Sequence, residues 1–97
     1  MATGMNQYNN IAAATVGTTI RTGKGKLGSI VINQAIASGV ITVYDGVSTG
    51  GTKIATITSP ATLLQNWGTL TYNVCFQTGL FVVSDHNDNY TVCWEPL

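Results

Sequence analysis

Apolar and polar residues alternate with a period of two through much of this chain, and glycines and polar clusters cut the alternation into short runs. A period of two marks a strand with one side buried. Leu70, Tyr72, Val74 and Phe76 form the clearest series, and Tyr90, Val92 and Trp94 share one face of the final run. Val16, Thr18 and Ile20 lie on one side of residues 16–22, ahead of a turn at Gly23-Lys24-Gly25-Lys26. Residues 27–33, 40–44, 53–58 and 80–83 are rich in Val, Ile, Thr, Tyr and Phe, the side chains that strands favour. No sustained 3.6-residue period marks a long helix.

These runs predict seven strands and a candidate eighth, spaced about 8–12 residues apart as in all-β sandwiches. The expected fold is all-β: a single-domain antiparallel β-sandwich, jelly-roll-like, with seven to eight strands. Residues 16–97 make up the sandwich. Residues 1–15 are polar and small, and two readings are open for them: an N-terminal arm, or an edge strand paired inside the domain. Residues 60–68 carry Leu63, Leu64 and Trp67 between polar neighbours and fit a helical turn or a packed loop.

Two strands look apolar on both sides. Ile30 and Ile32 oppose Leu27 and Val31, while Ile41 and Val43 oppose Val40 and Tyr44. An antiparallel domain commonly leaves one face to water, so a second apolar face implies a subunit contact or a covering loop. Leu27, Val31, Val40 and Tyr44 are therefore the candidate subunit-interface residues.

Charge sharpens this picture. Four Lys/Arg balance four Asp/Glu, and charged residues make up 8% of the 97-residue chain, against about 25% in typical domains. Without a basic excess, nucleic-acid binding by counterion release is not expected. A hydrophobic content of 44% argues against disorder. No run reaches the roughly 18 apolar residues of a membrane helix. The opening Met-Ala-Thr-Gly-Met-Asn-Gln lacks the basic and apolar regions of a secretory signal, so synthesis in a cytoplasm is expected. A neutral Thr/Ser/Asn/Gln surface is cheap to desolvate against a partner. It suits either permanent assembly or simple solubility.

Candidate chemistry is thin. Gly23-x-Gly25-x-x-Gly28 matches a dinucleotide fingerprint in letters, but Ser29-Ile30-Val31-Ile32 after it is strand-like where the motif needs a helix. Asp85-x-Asn87-x-Asn89 resembles the start of a calcium loop, yet Tyr90 stands where glycine belongs and Pro96 where glutamate belongs. Ser84, His86 and Asp88 lie on one loop, whereas a catalytic triad converges from separate elements. Cys75 and Cys93 oppose the apolar parity of their strands, and a reducing compartment favours two free thiols. No catalytic residue, metal site or cofactor is expected, and the chain is not read as an enzyme.

Gly25-Lys26-Leu27-Gly28-Ser29-Ile30-Val31-Ile32-Asn33, Ile41-Thr42-Val43-Tyr44-Asp45-Gly46 and Gly51-Thr52-Lys53-Ile54-Ala55-Thr56-Ile57 form a series. Tyr72-Asn73-Val74-Cys75-Phe76-Gln77-Thr78-Gly79-Leu80 and Tyr90-Thr91-Val92-Cys93-Trp94 continue it. Over residues 25–94 the chain resembles a family of small phage virion proteins, the head decoration (cement) proteins or other small β-rich virion components. The resemblance implies a homotrimer on the outside of an icosahedral head, bound to the major capsid protein and stabilising the shell. It does not reach residues 1–15, whose arm reading would place Tyr8 and Ile11 against the capsid. The competing expectation is a carbohydrate-binding or fibre-associated sandwich module, with Trp67, Trp94, Tyr44 and Tyr72 as candidate stacking surfaces. Tyr72 and Trp94, however, sit on core-facing parities.

Overall fold

The computed structural model describes residues 7–12, 14–34, 36–58 and 69–97. Eight strands run in chain order: β1 (Gln7–Ile11), β2 (Thr18–Thr22), β3 (Gly25–Gln34), β4 (Val40–Asp45), β5 (Thr52–Thr58), β6 (Thr69–Phe76), β7 (Gly79–Ser84) and β8 (Asn89–Pro96). A 3₁₀ turn, Ala14–Val16, lies between β1 and β2 and is the one helical element among the described residues. One sheet has the order β1-β8-β3-β6 and the other β2-β7-β4-β5. Every pairing is antiparallel. Pairing β1 with β8, β2 with β7, β3 with β6 and β4 with β5 is the pattern of one long hairpin rolled into two sheets, which is a jelly roll.

The core forms where the inward faces meet. Leu27, Ile30, Phe76, Tyr90 and Val92 come from the first sheet, and Ile41, Val43, Leu80 and Val82 from the second, all at most 1% exposed. Gly25 sits against the Phe76 ring and has no room for a side chain: an added Cβ would lie 2.3 Å from Phe76 Cζ and 2.9 Å from the Glu95 carbonyl oxygen.

Simple parity fails in β3. Leu27 was expected to share a face with Val31, opposite Ile30 and Ile32, but Leu27 is buried in the core with Ile30 and Ile32. The cause is a β-bulge at Gly28. Leu27 pairs with Trp94 and Ser29 with the adjacent Cys93, so Gly28 is one residue too many and the alternation restarts after it. Against β6 the same stretch of β3 is the shorter side, since Leu27 pairs with Val74 and Ser29 with Thr71. Asn73 lies in that excess with φ 53°; asparagine tolerates this left-handed backbone better than most residues.

Of residues 1–15, Gln7–Ile11 pair residue by residue with β8, from Gln7 opposite Trp94 to Ile11 opposite Tyr90, and form an edge strand; residues 1–6 and 13 lie outside the described residues. Ile11 is buried in the core. The expected turn or packed loop at residues 60–68, with Trp67, lies outside the described residues.

Candidate binding face

Each sheet turns a second face outward, and the two differ. In β4, Ile41 and Val43 point inward, leaving Val40, Thr42 and Tyr44 on the opposite side. In β7, Leu80 and Val82 point inward, leaving Phe81 and Val83 out. The register aligns these residues in rows. Thr19, Phe81, Tyr44 and Lys53 run across β2, β7, β4 and β5; Val83, Thr42 and Thr56 form the next row, and Val40 pairs with Thr58 beyond it. The Tyr44 and Phe81 rings lie 6.2 Å apart, tilted by 54°. Gly17, with φ 82°, lies against the Phe81 ring, and neighbouring Val16 is 79% exposed. Lys53 is the single charge in these rows. The result is a half-buried patch of Val40, Tyr44, Phe81 and Val83 set in threonine.

On the outer side of the other sheet, polar side chains toward one end bond to one another. The Asn10 amide donates to Asn89 Oδ1 at 2.9 Å and Thr91 Oγ1 at 3.2 Å. The Asn33 amide donates to the same two atoms, each at 3.0 Å.

The four sequence-derived interface residues therefore separate. Val40 and Tyr44 lie together on the outer face of the second sheet. Val31, opposite Thr91 in β8 and Thr69 in β6, lies on the outer side of the first. Leu27 is fully buried and leaves the set. Of the two arm residues, Tyr8 is 74% exposed, but Ile11 is 5% exposed and has no surface to offer a capsid. Phe81 and Val83 were missed. Their run, Leu80-Phe81-Val82-Val83, is continuously apolar, so it has no parity to read.

The three aspartates are engaged in holding turns. Asp45 accepts from the backbone N–H groups of Gln77 (3.1 and 3.0 Å to its two oxygens), Thr78 (2.8 Å) and Gly79 (3.3 Å), fixing the β6–β7 turn. Burial pushes the Asp45 carboxyl up, but the bonds from Thr78, Gln77 and Gly79 outweigh it and hold the group below the usual carboxylate range. Asp88 is fully buried, accepting from Ser84 Oγ at 2.6 Å and from the Ile36 N–H at 3.1 Å, which ties the β3–β4 turn to the β7–β8 loop. Asp85 accepts from His86 Nδ1 at 2.8 Å and from the Val40 N–H at 2.7 Å. The His86 ring first, and then Val40, hold its carboxyl low.

These contacts dismantle the loop motifs. Ser84 bonds to Asp88 while the His86 ring bonds to Asp85, so no serine–histidine pair exists there. The oxygens of Asp85, Asn87 and Asn89 serve separate partners, with Asn87 accepting from Thr15 at 3.3 Å. Among the described residues, no group of three His, Cys, Asp or Glu side chains comes together as metal ligands would. Gly23 is a turn residue with φ 109°, and the strand β3 follows it, as its β-branched residues foretold. Cys75 and Cys93 are free thiols. Both flank β3, which separates their strands. Trp94 packs on the core, lies 5.9 Å under the Arg21 guanidinium and donates its Nε1–H to Asn9. Tyr72 also packs against the core, leaving Tyr44 as the outward aromatic, among the described residues, of those proposed for stacking on glycans; Trp67 lies outside the described residues.

Compared with known proteins, the chain matches no protein-family model and no curated protein.

Proposed function

We propose that the chain is a structural component of a phage virion, a head decoration protein that sits as a homotrimer on the outside of the shell, contacts the major capsid protein and stabilises it. The observation that supports this reading is the outward face of Val40, Tyr44, Phe81 and Val83, which carries Lys53 as its one charge. Covering such a face strips few ions of water, so burying its apolar area is a net gain. The same face would join the copies to one another. The mechanism is mechanical. A trimer spans the junctions between capsid subunits and adds buried area across them, and specific attachment needs about 800 Å² per partner. Three linked contacts then give avidity that no single contact supplies. Jelly rolls serve both as capsid and as lectin domains, so fold does not choose between a decoration protein and a glycan-binding module. The inward turn of Trp94 and Tyr72 favours the former.

Light scattering on the purified protein should give a trimer, and Val40→Lys or Val83→Lys should give a folded monomer. The protein should co-sediment with undecorated shells and leave a glycan array blank. A monomeric wild type that binds glycans and ignores shells would overturn the proposal.

A further inference from the structure

We propose that β1 is exchanged between copies, so that Gln7–Ile11 of one chain pairs with β8 of the next. The inference rests on the trimer reading above and names the element that links its subunits.

Little holds β1 in its own domain. Among the described residues it is an edge strand whose ladder runs to β8 alone. Of its five residues only Ile11 is buried, while Gln7, Tyr8 and Asn10 are exposed. Elements with few buried apolar contacts open locally at small cost. The β8 edge recognises a particular order of side chains. Ile11 fills a place in the core. Trp94 Nε1–H donates to Asn9 at 2.9 Å, and Asn10 donates to Asn89 and Thr91. An unrelated strand would match the ladder but not this order of side chains. The fitting occupant is β1 itself, from its own chain or from another copy, and this selects a second copy over a strand of the capsid protein.

Strands β2, β5 and β6 are each irregular in register, which discourages pairing with another chain. β1 is regular along its whole length and carries no charge. Exchange reproduces the same contacts between chains and alters only the connection toward β2, where Gly17 sits at φ 82°. That makes it a low-cost route to assembly once copies are held side by side.

Cys93 supplies the test, because it is the register partner of Tyr8. Cross-strand partners are about 4.5–5.5 Å apart at Cα, within disulfide reach. The variant is Tyr8→Cys in a Cys75→Ser background; Tyr8 is exposed, so folding should survive, and thermal melting checks it. The native oligomer is sized by light scattering, oxidised, and run on a denaturing gel without reductant. Covalent multimers up to the trimer are expected, and they should vanish when Cys93→Ser is added. A disulfide closed within single chains, or no disulfide at all, would sink the exchange. If those chains are still trimeric by light scattering, the trimer reading survives the loss; if they are monomeric, both fall.

Discussion

Replacing Asp45 by Asn removes one charge and almost no volume from the clamp on the β6–β7 turn. Three backbone N–H groups converge on the carboxylate, at distances from 2.8 to 3.3 Å. A hydrogen bond to a charged acceptor contributes about 1.5–3 kcal/mol where water is excluded. This turn is largely open to solvent, and screening lowers the contribution of the charge to about 1 kcal/mol. Asn keeps one acceptor oxygen but turns an NH₂ group toward the remaining donors. The expected loss at neutral pH is about 1–2 kcal/mol. In a domain of this size each kcal/mol moves the melting temperature by roughly 4–8 °C.

The pH dependence separates charge from shape. The folded carboxyl of Asp45 titrates below the ordinary value of 3.8. Its stabilisation is therefore fully present above the unfolded pKa and is lost as pH falls through the folded one. Asn has no such titration, so the gap between wild type and Asp45→Asn should narrow in acid. Asp85 is also held low, but it titrates alike in both proteins and cancels. It bonds to Val40, five residues along β4 and so about 17 Å from Asp45, far enough for the two to act independently. Urea denaturation followed by circular dichroism at neutral pH and at about pH 2.5 measures both gaps. No gap at neutral pH would refute the clamp, and an undiminished gap in acid would refute its electrostatic origin.

Gly25→Ala should cost about 2–3 kcal/mol in urea denaturation, because the new Cβ meets the Phe76 ring and a fixed backbone oxygen at once. Adding Phe76→Leu should relieve only the ring's share, and full additivity of the two losses would show that they do not meet. Tyr90→Phe should leave stability unchanged or raise it by up to about 1 kcal/mol, since the Tyr90 hydroxyl is buried without a hydrogen-bond partner among the described residues. A clear drop in melting temperature would reveal a partner for that hydroxyl.

The strands were legible because alternation in β4, β6 and β8 is regular enough to count. Faces were harder. One inserted residue inverts every assignment beyond it, and Gly28 inside a run of strand formers was the visible sign of such an insertion. Ignoring it placed Leu27 outside when it lies in the core. β1 is hard to read from sequence for a different reason. Gln-Tyr-Asn-Asn-Ile has poor strand composition, and its support comes from Asn89, Thr91 and Trp94, about eighty residues away in sequence. The Phe81 and Val83 contribution to the outer face was hidden by the uniform hydrophobicity of β7.

The scarcity of charge looks different once the two outer faces are compared. Asp45, Asp85 and Asp88, three of the four acidic residues, accept backbone N–H groups at turns and so serve the fold. The outward side of the first sheet carries Lys26 opposite Glu95 near one end, and toward the other end Asn10, Asn33, Asn89 and Thr91 bond to one another and present amide edges to water. A partner covering that side would gain little, because its polar groups are already paired and would still have to be desolvated. On the outward side of the second sheet, Val40, Tyr44, Phe81 and Val83 offer carbon, and covering it yields about 25 cal/mol per Å². The threonines between them carry one hydroxyl each, and hydroxyls find partners across an interface more readily than buried ions do. Neutral composition therefore does not make the whole surface adhesive. It leaves one face soluble through its own hydrogen bonds and through Lys26 and Glu95, and directs association to the other, which is why a lysine at Val40 or Val83 should disturb assembly more than one at Val31.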